Sequence, residues 1–313
     1  MALTSRPRFP KPVMSVQNAV KQGAPEARPA FPKFSWTWLG LTPFFLFAFL
    51  FLLYPASILG VRSFQDTTTH AFTIKYILQL LKDPYLLGAY WISIKISIIT
   101  ALGGGLFGFL LAYSAIRGGL PKFMRSSLMT FCGVASNFAG VPLAFAFIAL
   151  LSPSGELTKV LIAIGFNPYY HGFTLYTFWG LSMVYMYFQF PLMVLIIAPA
   201  IDGLRSEWLE AAENLGASSF QYWRYVAFPI LFPAILGTMI LLFGNSFGAF
   251  ATAQALTGGQ INLVTIVIGS QLRGDVLGDP GLGYALALGM VVVMAFAIIA
   301  RTLLQRRTER WLR

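Results

Sequence analysis

The sequence predicts an all-α integral membrane protein with six transmembrane helices. Of its 313 residues, 57% are hydrophobic and only 11% are charged, whereas about 25% of the residues of soluble domains are charged. The mean hydropathy is +0.70. Six apolar stretches also reach the roughly 20 residues that a helix needs to cross the hydrocarbon core of a bilayer. These observations exclude a soluble fold, and the apolar content excludes disorder over most of the chain.

The six apolar stretches are predicted to be helices because backbone groups in lipid need hydrogen-bond partners within their own segment. Runs of this length do not fit the strands of about ten residues that build a transmembrane β-barrel. The predicted spans are Leu39–Val61, Gly88–Ile116, Leu128–Leu151, Phe173–Ala200, Ala234–Leu256 and Leu282–Ala300.

The Lys and Arg residues predict the orientation of the chain. Outside the spans, sixteen of them lie in the two terminal segments and in the loops after the second and fourth spans. Five lie in the remaining loops. Because basic residues concentrate on the cytoplasmic side of membrane proteins, both termini are expected in the cytoplasm. The net charge of +11 therefore reflects topology, and no nucleic-acid partner is expected.

The first 35 residues differ in composition from the rest of the chain. Residues 1–35 are basic and rich in proline, which predicts a largely extended cytoplasmic tail near anionic lipid. A topology anchor is favoured over a specific binding role. Residues 36–313 are expected to form the transmembrane domain.

The sequence offers little material for catalysis or metal binding. It contains no GxxxxGK[ST] phosphate loop, no HExxH and no CxxC, and Cys132 is its single cysteine. His70 and His171 fall in separate outer loops without acidic or cysteine partners, so solvated loop positions are favoured over metal ligation. We therefore expect no catalytic residue, no metal site and no enzyme activity in this chain.

One predicted cytoplasmic loop, residues 201–233, has the pattern of folded structure. Its first half alternates apolar and acidic positions at helical spacing. The apolar positions are Leu204, Trp208, Ala211 and Leu215, and the acidic positions are Glu207, Glu210 and Glu213. Ser206 is predicted to cap this helix and Gly216 to end it at a positive φ. Because an anionic leaflet repels an acidic helix, docking to a protein partner is favoured over an interfacial helix.

The second half of the loop predicts another short helix. Residues 218–227 form an amphipathic stretch that contains three aromatic residues. Pro229 and Pro233 follow, and they are expected to break the chain before the fifth span.

The same loop resembles a motif of ABC importer permeases. Glu210-Ala211-Ala212, Gly216, Val226, Phe228 and Pro229 stand at the spacing of the EAA–G–IxLP loop of that family. Val226 takes the place of isoleucine and Phe228 the place of leucine. The resemblance covers about residues 90–307, including the proline-containing stretch Gln189–Leu195 and the outer-loop segment Gly155–Phe166.

The resemblance implies a type I ABC importer permease fold, with a coupling helix between spans 4 and 5 that rests in a groove of a separate cytoplasmic ATPase. ATP and Mg would be bound by that ATPase dimer, and this chain would hold no cofactor. The dimer has two grooves, so a second permease subunit is implied, together with an extracytoplasmic substrate-binding protein and a bacterial inner-membrane location. The implied coupling residues are Glu207, Glu210, Ala211, Ala212, Gly216, Val226, Phe228 and Pro229.

Within the family, residues 214–218 and 243–259 resemble the polyamine-type branch, so spermidine or putrescine is the expected substrate. Relatives of that branch for ferric iron, thiamine or aminophosphonates are the alternatives. A secondary transporter or channel is the alternative class, and a membrane enzyme comes third. Polar side chains within the spans are candidates for the pathway, although a packing role is favoured for most of them. These candidates are Lys95, Asn137, Tyr185, Gln189, Asn245 and Gln254.

Overall fold

The computed structural model describes residues 37–273 and 278–309. Within these ranges the regular secondary structure consists of helices joined by loops. Two π-helical segments, Phe49–Leu53 and Trp223–Ala227, and a 3-10 turn, Pro168–His171, interrupt or join the α-helices. The α-helices are α1 (Thr37–Ala48), α2 (Tyr54–Arg62), α3 (Lys75–Lys82), α4 (Pro84–Arg117), α5 (Lys122–Asn137), α6 (Val141–Leu151), α7 (Glu156–Ala163), α8 (Phe178–Asp202), α9 (Ser206–Asn214), α10 (Ser219–Tyr222), α11 (Phe228–Phe247), α12 (Ala251–Thr257), α13 (Val264–Leu272) and α14 (Pro280–Glu309).

The chain divides into two units, residues 1–54 and residues 55–313. In the first unit, the described residues form α1 and the π-helical segment that follows it. The second unit contains the helices from α3 to α14 and the buried core. The predicted tail, residues 1–35, lies outside the described residues.

Six helical stretches of the described chain are long and apolar enough to cross a membrane, as the sequence predicted. They are Gly40–Arg62, Pro84–Arg117, Val141–Ala163, Phe178–Asp202, Ser219–Phe247 and Pro280–Arg306.

The predicted bounds of the third span, Leu128–Leu151, are wrong. The helix that starts this apolar run, α5, ends at Asn137, and α6 begins only at Val141. Between them Gly140 has a φ of 76°, a conformation that side chains with a Cβ rarely adopt. Pro142 lies in the first turn of α6, where its missing N–H costs no helical hydrogen bond. In this region of the described chain, the stretch that is long and apolar enough to cross a membrane is Val141–Ala163, which contains α6 and α7.

The predicted bounds of the fifth span, Ala234–Leu256, are also wrong. Helical structure runs from Ser219 to Phe247, and α12 is a separate short helix. Pro229 and Pro233 do not break the chain. Before them, the N–H of Phe228 bonds the carbonyl of Trp223 in π-helical fashion. Pro229 then falls in the first turn of α11, and Pro233 lies inside that helix, which membrane helices tolerate.

The second unit is built around the packing of α4 against α8. Glycines on α4 allow the two backbones to approach closely. A Cβ added at Gly104 would lie 2.5 Å from the Cβ of Gln189, and one added at Gly108 would lie 2.5 Å from the carbonyl oxygen of Phe190. This interface fixes α8, whose end leads into the loop with the acidic helix.

Candidate functional site

The acidic helix predicted between spans 4 and 5 is present as α9. It begins at Ser206, and Arg205 is the residue before the helix, without a capping side-chain hydrogen bond. The prediction that Ser206 caps the helix is therefore wrong, because Ser206 already belongs to the first turn. Glu207 lies in that turn, as predicted, where a negative charge interacts favourably with the helix dipole.

The end of α9 is fixed by backbone hydrogen bonds at Gly216. Gly216 has a φ of 77°, which confirms the predicted positive φ. The N–H of Ala217 donates to the carbonyl of Ala212 at 2.9 Å, and the N–H of Gly216 donates to the carbonyl of Glu213 at 2.9 Å. This pair of bonds is a Schellman motif, which satisfies carbonyls that the helix end would otherwise leave unpaired.

The outer face of α9 is acidic and accessible. No residue of α9 is fully buried. The exposed side chains with a predicted coupling role are Glu207, Glu210 and Ala211, and Glu213 is exposed beside them. On the inner face, Leu209 and Ala212 pack against the hydrophobic core. The helix therefore presents carboxylates outward while two side chains hold it to the spans.

Two arginines support the base of the loop, and the sequence patterns did not indicate either contact. The guanidinium of Arg117, at the end of α4, donates a hydrogen bond to the carbonyl of Leu204. Arg125 on α5 forms an ion pair of 2.5 Å with Asp202 at the end of α8. Leu204 itself is buried. The start of α9 is thus tied to α4, α5 and α8.

The second half of the loop is also anchored to the spans. Ser218 and Gln221 form a capping box: the N–H of Ser218 donates to Oε1 of Gln221 at 2.7 Å, and the N–H of Gln221 donates to Oγ of Ser218 at 3.3 Å. Trp223 Nε1 donates to the hydroxyl of Tyr113 on α4 at 3.2 Å, and the two rings pack edge to face. Tyr222 beside it is buried. The segment is therefore attached to α4.

The remaining predicted coupling residues lie where this segment enters the fifth span. Val226 and Pro229 are half-buried, and Phe228 is exposed. Val226 packs against the core that includes Tyr222 and Leu231. These residues connect the loop to α11, but they do not lie on the exposed acidic face.

Two of the predicted pathway residues, Tyr185 and Gln189, are buried on α8. The hydroxyl of Tyr185 donates to the carbonyl of Ala249 at 2.8 Å, and Nε2 of Gln189 donates to the carbonyl of Leu242 at 2.8 Å. Ser246 lies beside Gln189 and pairs with the hydroxyl of Thr100 on α4 at 2.8 Å. These hydrogen bonds join α4, α8 and α11.

The other four predicted pathway residues are not brought together. Lys95 is exposed on α4 with its Nζ 4.8 Å from the ring centroid of Trp91. Asn137 and Asn245 are exposed, on α5 and α11. Gln254 is half-buried and lines a polar cavity beside α12 and α13. A pathway role for these residues stays a prediction.

Comparison with known proteins identifies the family. Residues 104–310 match the family described as the binding-protein-dependent transport system inner membrane component. The chain belongs to this family. Its members are the membrane permeases of ABC importers, in which the ATPase is a separate subunit. The chain is therefore a multi-pass inner-membrane permease subunit.

Curated relatives of this family member include permeases with two different kinds of substrate in their names. The sulfate transport system permease protein CysT of Salmonella typhimurium is 26% identical over 70% of this chain and 74% of its own length. The probable sulfate permease of Prototheca wickerhamii is 29% identical over 58% of this chain and 69% of its own length. The spermidine/putrescine permease PotC of Escherichia coli is 25% identical over 82% of this chain and 91% of its own length.

Solved structures support the same fold. A chain of a bacterial ABC transporter that imports the acidic polysaccharide alginate has a TM-score of 0.70 and 18% identity, with coverage of 87% of this chain and 95% of that chain. A chain of the MetNI methionine ABC transporter has a TM-score of 0.51 and 16% identity, with coverage of 72% and 99%. The predicted ABC importer permease fold is confirmed.

Proposed function

We propose that α9 is the coupling helix of this permease and docks in a groove of the cytoplasmic ATPase subunit. The observation that carries the proposal is the accessible acidic face of α9 on a firmly held base. Glu207 and Glu210 are exposed. Leu204, two residues before the helix, is buried, and its carbonyl accepts a hydrogen bond from Arg117. A helix so held can receive a partner on one face and pass a displacement to the spans on the other.

The residues of the loop have two proposed roles: some contact the ATPase, and others connect the loop to the fifth span. Glu207 and Glu210 are the acidic contacts, and the small, exposed side chain of Ala211 allows the helix to approach the groove. Ala212 instead packs on the inner face, where its small size brings the helix close to the spans. Gly216 turns the chain out of the helix at its φ of 77°. Val226, Phe228 and Pro229 connect the second short helix to α11.

The proposal fixes the topology and the partners. The side that carries α9 is cytoplasmic, with both termini and the basic tail of residues 1–35 on the same side. The ATPase dimer binds ATP and Mg, and its two grooves require a second permease chain. An extracytoplasmic binding protein delivers the substrate to the opposite side. Because the chain matches the family of binding-protein-dependent permeases, a secondary transporter or channel is no longer needed as an alternative class.

The names of the relatives suggest two candidate substrates, a polyamine and sulfate. Spermidine or putrescine is the prediction from sequence, and the relative PotC supports it with the longer coverage. The sulfate permeases support a small oxyanion. A polycation pathway is expected to offer free carboxylates. In the described part of the chain the six stretches contain two carboxylates, Asp202 at the very end of α8 and Glu156 on α7. Each already forms an ion pair, with Arg125 and Lys159 respectively. The charges therefore favour the anion over the polyamine, iron and thiamine alternatives.

Cross-linking tests the docking of α9 and the topology together. In a Cys132→Ala background, we expect an Ala211→Cys permease to cross-link to its ATPase in membranes. Glu156→Cys is the matched control, because Glu156 is exposed on another short helix, α7, within the segment Gly155–Phe166 that resembles the outer loop of the family. Cross-linking of the ATPase at position 156, or its absence at position 211 in a transport-active complex, would contradict the proposal.

A further inference from the structure

A polar cavity of about 310 Å³ lies between the start of α4 and the helices α12 and α13. It is on the side where α4 begins, which the charge asymmetry predicts to be extracytoplasmic. Glycines at positions 258, 259 and 269 keep part of its wall free of side chains. The polar side chains that line it are Gln254, Asn262, Ser270 and Arg273.

Arg273 is the charged member of this lining. Its guanidinium carbon lies 4.8 Å from the ring centroid of Phe250, within the range of a cation–π interaction. Such stacking orients the planar guanidinium and leaves its N–H groups at the edge free to donate. Within residues 37–273 and 278–309, Arg273 has no ion pair, and no carboxylate lines the cavity.

The other polar side chains around the cavity are arranged differently. Asn262 donates through Nδ2 to the carbonyl of Tyr85 at 3.0 Å, and Ser270 donates to the carbonyl of Val267 at 2.8 Å. These two bonds stabilise the wall of the cavity. The N–H of Asn262 and the O–H of Ser270 that form them are therefore not available to a ligand. Gln254 is half-buried. Its side-chain amide gives the cavity an uncharged hydrogen-bond donor in addition to the guanidinium of Arg273.

We propose that this cavity is a binding site for a small tetrahedral oxyanion of the sulfate or phosphate class, with Arg273 as the charged contact and Gln254 as the neutral one. A guanidinium fork matches the geometry of such oxyanions, and the described lining contains no carboxylate that would repel them. A polyamine would meet the positive charge of Arg273 without a compensating carboxylate. The inference rests on one part of the proposed function, the topology, which places the cavity on the side of the membrane where the binding protein docks.

Direct binding to the assembled transporter tests the site. The permease is purified with its partner permease and ATPase, without binding protein, and placed in nanodiscs of phosphatidylcholine. Saturable binding of labelled sulfate, phosphate and putrescine is then measured. Arg62→Gln is the matched control. Arg62 lines a separate cavity of about 180 Å³, which is predicted to lie on the same side of the membrane, and it is the one arginine in the described lining of that cavity.

We expect saturable binding of sulfate or phosphate and none of putrescine. Arg273→Gln should weaken oxyanion binding at least tenfold and Arg273→Lys less, because lysine keeps the charge and loses the fork. Arg62→Gln should bind as the unmodified chain does. Putrescine binding that depends on Arg273, equal oxyanion binding by Arg273→Gln, or no oxyanion binding would overturn the site. Co-purification of the ATPase is scored in the same samples, so a failed site is distinguished from a failed coupling loop.

Discussion

Gly216 offers the sharpest test of the proposed coupling loop. Its φ of 77° is open to glycine, whereas a β-branched residue there is a genuine outlier. No atom lies within 4 Å of a Cβ built at this position. Gly216→Val therefore introduces backbone strain at the end of α9 without a steric clash.

The size of the effect follows from the local geometry. A left-handed conformation costs an L-residue roughly 1–2 kcal/mol. The alternative is to leave that conformation and lose the two bonds of 2.9 Å from Gly216 and Ala217 to Glu213 and Ala212, each worth about 1 kcal/mol. Because α9 has nine residues and none of them is fully buried, it has little other stabilisation to offset the loss. The docking-competent loop should therefore be depopulated by roughly five- to thirtyfold.

The assay is ATP hydrolysis by the reconstituted transporter, with and without its binding protein. We expect Gly216→Val to insert and purify normally, to bind the ATPase roughly five- to thirtyfold more weakly and to lose most of the stimulation. Gly216→Asn is the matched control, since asparagine adopts the left-handed conformation more readily than other residues with a Cβ. It should retain most of the activity.

Equal stimulation in the valine and glycine forms would refute the reasoning, because it would show that this turn does not hold α9 for docking. Equal loss in the asparagine and valine forms would point to the added side chain and not to backbone strain.

Two further predictions concern the acidic face and the α4–α8 interface. Glu210→Lys should reduce co-purification of the ATPase through charge reversal at an exposed position, whereas Glu156→Lys should leave it unchanged; undiminished recovery with Glu210→Lys would contradict the contact. Gly104→Ala should lower thermal stability, because its Cβ would lie 2.5 Å from the Cβ of Gln189 and overpacking costs about 1–3 kcal/mol. Gly88→Ala, on the same helix with nothing within 4 Å, should leave the unfolding temperature unchanged or raise it, and equal destabilisation by both would contradict close packing at Gly104.

The number of spans and the acidic helix were predictable because both depend on local composition. Hydropathy over about 20 residues marks a crossing helix wherever its partners lie, and the three-residue spacing of Trp208 and Ala211 marks α9 in the same local way. Gly216 was predictable as a helix end, since a positive φ there requires little beyond the sequence next to it.

The span boundaries were less predictable, because apolarity does not distinguish one helix from two in succession. Residues 128–151 read as one run, although Gly140 and Pro142 divide it. Pro229 and Pro233 read as breaks, although a π-helical turn before them keeps the chain helical. In both cases the outcome depends on backbone geometry that hydropathy does not contain.

The long-range contacts of the candidate site could not be predicted at all. Arg117 and Leu204 are 87 residues apart, and Trp223 and Tyr113 are 110 residues apart. The sequence marks Arg273 only as a basic residue of an outer loop, since nothing in it places the side chain over Phe250. Such pairs form through the packing of α4 with its neighbours, which no single segment encodes.

The unbroken helical stretch from Ser219 to Phe247 has a geometric consequence for transport. Its 29 residues span about 43 Å at 1.5 Å per residue, so its first turn belongs to the loop while its last turn reaches the polar contacts around Ser246. If the stretch rotates as a stiff rod, a tilt of about 10° about one end shifts the other end by about 7 Å. A small angular change imposed beside α9 is then enough to separate or close groups at the opposite surface of the membrane.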